Sequence, residues 1–117
     1  MLAAGSNDEE IERAVSFIRG RIAFYGCTVA YRPVLEIHGW GDLQEELIAL
    51  NRRHETDEMA SLITDEMIRT FAIVGKPEHV IDEMIKRFGG LIDRTGFSAQ
   101  GLTDDDLRVL LQKLRAV

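Results

Sequence analysis

Apolar residues recur at intervals of three and four over most of the chain, a spacing that predicts amphipathic helices. Ile11, Ala14, Val15, Ile18 and Ile22 mark one such stripe over residues 6–25. Ser6 with Glu9 has the spacing of a capping box, and Asp8, Glu9 and Glu10 place negative charge at the positive end of the helix dipole. Gly20 weakens this helix and Gly26 is its expected stop. Val34, Leu35 and Ile37 predict a short helix that Pro33 opens and Gly39 ends. Trp40 lies between Gly39 and Gly41. Leu43, Leu47 and Leu50 predict another helix, capped by Asp42 with Glu45 and fading at Asn51-Arg52-Arg53. Thr56 is the expected cap of a further segment carrying Met59, Leu62, Ile63 and Met67, with Thr64-Asp65-Glu66 as a break and restart within it.

The pattern changes at Phe71-Ala72-Ile73-Val74, a short continuous apolar run bounded by Gly75. Such a run reads as a strand buried on both faces. Lys76-Pro77-Glu78 opens the next helix, whose apolar face is Val80, Ile81, Met84, Ile85 and Phe88, and Gly89-Gly90 ends it. Leu91–Phe97 is expected to be a second, weaker strand because Gly96 interrupts it. Strand, helix and strand in this order predict a βαβ unit with parallel strands. The last helix is capped by Thr103, starts with Asp104, Asp105 and Asp106, and carries Leu107, Leu110, Leu111 and Leu114, with Lys113 and Arg115 in its last turn. About five helices with two or three short parallel strands make an α-rich α/β chain. A sheet that small covers a doubly buried strand poorly. Helices wrap it, another chain completes it, or the chain is part of something larger.

Composition narrows the function classes. At 117 residues the chain has the length of about one domain, without internal repeats, low-complexity linkers or an evident domain boundary. A complete (β/α)₈ barrel needs about 250 residues. The formal net charge of −6 argues against an electrostatic nucleic-acid binder, which needs a basic face. No run approaches the ~20 apolar residues of a membrane span, and the first residues lack a signal-peptide pattern. A single cysteine, Cys27, excludes an internal disulfide and fits a reducing compartment, so a cytoplasmic location is expected.

Candidate chemistry is sparse. His38, His54 and His79 have no metal-site spacing. His54-Glu55 with Asp57 and Glu58 reads as a solvated cap, and Cys27 as an inert thiol. Gly75-Lys76-Pro77 lies where an anion can meet a helix N-terminus. A structural βα turn is the competing reading, since the phosphate-loop pattern is absent and Pro77 lacks an N–H. Tyr25, Tyr31, Arg32, His38 and Trp40 gather aromatic and polar groups within sixteen residues. They read either as the lining of a pocket for a planar ligand or as core rings with Arg32 in an ion pair.

The stretch from Ile22 to Trp40, IAFYGCTVAYRPVLEIHGW, resembles a signature of the luciferase-like monooxygenase superfamily, most nearly its coenzyme F420-dependent oxidoreductases. Thr70–Glu78 and Phe88–Phe97 resemble that family's later strand-and-helix start and its final barrel strand. Cys27 stands where the family more often has serine, Val29 where it often has proline, and Lys76 where threonine is common before Pro77. The resemblance runs along nearly the whole chain and implies the C-terminal third of a (β/α)₈ barrel. Residues 1–117 would then be a single partial domain, with 1–70 as a helical connection and 71–117 as the terminal βαβα. Leu2–Gly5 would be a remnant of the preceding strand, Phe71–Val74 the penultimate strand and Leu91–Phe97 the last.

For function, the resemblance implies a portion of an F420- or flavin-dependent (FMN) oxidoreductase. Its hydride chemistry belongs to the coenzyme, and whether this chain alone binds one is left open. Tyr25, Tyr31, Arg32, His38, Trp40 and Lys76 are the candidate coenzyme- or substrate-binding residues, with Arg32 as the anion-binding candidate. No catalytic residue and no metal ligand is assigned. Two or three strands cannot enclose a coenzyme, so complete catalysis by this chain is not expected. The alternative is a non-catalytic helical module for self-association or partner binding. The expected partners are a second copy or a chain supplying the rest of the barrel, with no nucleic acid and no membrane.

Overall fold

The computed structural model describes residues 1–96 and 101–117. Its elements are β1 (Leu2–Ala4), α1 (Asp8–Gly26), a 3-10 turn over Val29–Tyr31, α2 (Arg32–Ile37), α3 (Leu43–Arg52), α4 (Thr56–Ser61), α5 (Asp65–Phe71), β2 (Ile73–Gly75), α6 (Pro77–Phe88) and α7 (Asp104–Arg115). The α-rich expectation holds. Among the described residues the helices number seven rather than about five: the Pro33 segment forms the short helix expected of it, and the segment after Thr56 splits at residues 62–64. At that split Thr64 Oγ1 accepts from the Met67 N–H at 3.2 Å, which starts α5 afresh.

The chain divides into two compact units, Met1–Ile18 with Arg69–Val117, and Arg19–Ile68. In the first, β1 and β2 form a two-stranded parallel sheet with Leu2 opposite Ile73, Ala3 opposite Val74 and Ala4 opposite Gly75. Parallel neighbours need a long crossover, here the intervening helices. Ala4, Ile73, Val80 and Met84 form a buried cluster against which Leu2 and Leu102 pack. Ile81 and Leu110 are also fully buried, each burial contributing about 1.5–3 kcal/mol.

Two strand expectations are corrected here. The strand expected over Phe71–Val74 is Ile73–Gly75 instead. Phe71 completes α5, and pairing starts only where the Ile73 N–H reaches the Met1 carbonyl at 3.0 Å. Arg87 donates from Nη1 to the carbonyls of Arg69 (3.2 Å) and Ala72 (3.3 Å), so the end of α5 is satisfied without strand pairing. The second strand expected over Leu91–Phe97 is absent from residues 91–96; Phe97 lies outside the described residues. The Leu91 and Ile92 N–H groups both donate to the Phe88 carbonyl, at 2.9 and 3.3 Å, in the turn that ends α6. Those donors are therefore unavailable to a ladder, and Leu91 is 78% exposed. The parallel pair is β1 with β2, not the expected βαβ over 71–97.

The second unit is helical. Ile22, Ala23, Leu35, Leu47, Leu50, Met59, Ile63, Met67 and Ile68 are buried in it. Arg19 ties the second half of α1 to the α4–α5 break: its guanidinium donates to the Ile63 carbonyl and pairs with Asp65 at 2.7 Å. Gly26, the last residue of α1, permits a close approach, since a Cβ there would stand 2.7 Å from Leu47 Cδ1.

Candidate functional site

Five of the six candidate residues lie in the Arg19–Ile68 unit, on the segment from the end of α1 to the start of α3. Lys76 belongs to the other unit. It is the exposed N-cap of α6 and its side chain makes no capping hydrogen bond.

The rings form two separate pairs. Tyr25 on α1 and Tyr31 at the end of the 3-10 turn meet edge to face, with centroids 5.6 Å apart and planes at 82°. Phe24 adds an edge contact to Tyr25 at 5.9 Å, and Arg21 donates from Nη2 to the Tyr25 hydroxyl at 3.0 Å while lying over its ring. His38 and Trp40 stack at 5.0 Å with planes 28° apart. The end of α2 sets that stack. Gly39 has φ of +78°, its N–H donates to the Glu36 carbonyl, and the Trp40 N–H donates back to the Leu35 carbonyl, each at 2.9 Å. This is a Schellman closure, which a glycine adopts without a Cβ penalty.

Arg32 opens α2 and is ringed by acids. Its Nε donates to Glu36 Oε1 at 2.9 Å, with Glu45 at 3.6 Å and Asp42 at 4.0 Å. The hydrogen bond to Glu36 raises the guanidinium above its usual range, and the charges of Glu36, Glu45 and Asp42 add to that. Three carboxylates around one cation leave a local excess of negative charge. The ion-pair reading of Arg32 is therefore the one realised in the fold. Asp42, in turn, is not the expected side-chain cap of α3: it has φ −67° and ψ −24°, makes no capping bond and faces Arg32.

The sequence reading missed Gln44. It is 2% exposed, and its Nε2 donates to the carbonyls of Gly26 at 3.0 Å and Thr28 at 2.9 Å. Its signal was present as a polar residue three positions before Leu47, on the buried stripe of α3. The outward side of the same segment is apolar: Val29 is 71% and Ile37 81% exposed, and Phe24, Tyr31 and Val34 are also exposed. Cys27 donates its thiol to the Phe24 carbonyl at 3.0 Å, in keeping with a structural role. Among the described residues no group of three or more His, Cys, Asp or Glu is placed to hold a metal ion, and no helix is long and apolar enough to cross a membrane.

Residues 1–94 match the family model of the luciferase-like monooxygenases. An uncharacterized protein of Mycobacterium bovis and two of Mycobacterium tuberculosis are each 40% identical to the chain over 115 residues. The match covers 98% of this chain and 34% of each relative, so the chain spans about a third of the length of these relatives. No solved structure matches it. With four-fifths of its residues inside the family model, the chain belongs to the luciferase-like monooxygenase family.

Proposed function

We propose that the chain is the C-terminal portion of an F420- or flavin-dependent luciferase-like oxidoreductase, contributing pocket and oligomer surfaces rather than a complete active site. The carrying observation is family membership combined with a span of one third of the relatives. The coenzyme implied by the family would supply hydride chemistry. The residues present do not form its holder. Arg32 is occupied by three carboxylates, the rings of Tyr25 and Tyr31 and of His38 and Trp40 are engaged with each other, and Lys76 stands before a proline without an N–H. What the segment offers is two aromatic pairs, Tyr25 with Tyr31 and His38 with Trp40, against which a ligand held by other parts of the fold can lie.

Titrating F420 and FMN with this chain, followed by coenzyme fluorescence, tests the reading. No saturable change is expected for either coenzyme at micromolar concentration. Stoichiometric binding would overturn it.

The second reading is a non-catalytic self-association module, with homodimerisation through the exposed apolar side. The observation favouring it is the outward row of Val29, Val34 and Ile37, contiguous in sequence with exposed Tyr31.

A further inference from the structure

We infer that Gln44 is the positioning residue of the aromatic segment, an inference that rests on the proposed site. The chain must leave α1 in one defined direction for Tyr31 to reach Tyr25 six residues earlier. Carbonyls at the end of a helix lack intrahelical partners, so they do not fix that direction alone. The single Gln44 amide bridges the carbonyl of the last α1 residue, Gly26, and that of Thr28 beyond it. The Thr28 carbonyl accepts a second bond from the Tyr31 N–H at 2.9 Å, and the Thr28 N–H donates to the Tyr25 carbonyl at 3.0 Å. The bridge is thus joined through Thr28 to the main chain of both tyrosines whose rings pair.

The clamp has little freedom. One turn along α3, Leu47 packs where Gly26 has no Cβ, which fixes α3 against the end of α1. Gln44 therefore holds its amide at a set distance from both carbonyls. An apolar residue of equal size would take this donor from the buried Gly26 carbonyl and from the half-buried Thr28 carbonyl. A glutamate in its ionised form has no proton to donate at all.

The test compares Gln44→Met and Gln44→Glu with the native chain by near- and far-ultraviolet circular dichroism. Q44M is expected to keep the helical signal and lose at least half of the near-ultraviolet aromatic signal. Q44E is expected to lose it at neutral pH and regain part of it on acidification, because the protonated carboxyl can donate one bond. The native chain, titrated in parallel, is expected to show no such recovery on acidification, since its amide does not titrate and the carboxylates of Glu36, Asp42 and Glu45 around Arg32 act alike in both chains. Native near-ultraviolet spectra in both variants would overturn the inference.

Should the variants fail to fold, the native chain still decides. The Gln44 side-chain amide protons are expected to exchange at least tenfold more slowly than those of exposed Gln112. Equal rates would overturn the inference. None of these readouts involves a coenzyme, so failure of the site reading leaves them unchanged.

Discussion

His54 shows what a single residue discloses once its backbone is known. It has φ of +57°, the one described non-glycine residue with positive φ. The Glu55 N–H donates to the Leu50 carbonyl and the His54 N–H to that of Asn51, so α3 ends in a Schellman closure with histidine in the glycine position. The solvated-cap reading set His54 at a helix start, whereas it closes the end of α3. His54→Gly is expected to stabilise the fold by about 1 kcal/mol, read as a higher melting temperature; a lower one would contradict the assignment. Capping shows the same limit of sequence reading. Ser6 and Glu9 have the right spacing, yet Asn7 Oδ1 accepts from the Glu10 N–H at 2.9 Å and Glu10 accepts from the Ser6 N–H at 2.7 Å. Asn7 takes the capping role instead of Ser6, and Glu10 reaches back past it to the N–H of Ser6, so the expected reciprocal pair does not form. Asp42 has helical backbone angles and makes no capping bond, and Gln44 serves carbonyls 16 and 18 positions away, a distance no local pattern encodes.

At the scale of elements, helices with strong stripes and clear ends were legible and short strands were not. In α7, Thr103 is the expected cap and Asp106 turns it into a reciprocal box, with Thr103 Oγ1 accepting from the Asp106 N–H at 3.2 Å and the Thr103 N–H donating to Asp106 Oδ2 at 3.0 Å. Thr103→Ala is expected to cost about 1 kcal/mol, and Leu110→Ala, in a fully buried position, about 2–5 kcal/mol, both measurable by denaturant titration. In α6, Glu83 accepts from Arg87 Nε at 2.8 Å. That hydrogen bond, with the nearby charges of Lys86, Arg87 and His79, holds the Glu83 carboxyl below its usual range despite desolvation. A lowered folded-state pKa stabilises the fold above the unfolded value of about 4.3 and is lost as pH falls through the lower folded value. Stability should therefore decline on acidification below about pH 4.3, less steeply in Glu83→Gln; equal acid slopes would contradict the pair. Leu91 and Ile92 misled as strand residues because apolarity alone cannot show that their N–H groups close a helix end.

Over the whole molecule, the imbalance of one short parallel sheet against many helices was legible, and so was the family. Residue patterns could not show that β2 pairs with β1 across some seventy residues, since that register depends on backbone partners. Nor could they show which apolar residues stay outside. If the Val29–Ile37 side is a self-association surface, light scattering should report a species larger than a monomer, and Ile37→Glu should return it to monomer with helicity unchanged. A native chain that is monomeric at high micromolar concentration would remove that reading.

On the proposed function, this chain supplies part of a luciferase-like active site and not the whole. The most direct test is complementation: mix the chain with the remaining two thirds of a mycobacterial relative and follow F420 or FMN by fluorescence polarisation. Saturable coenzyme binding is expected in the mixture and none by the chain alone. Binding by the chain alone, or a stably assembled mixture that binds neither coenzyme, would contradict it.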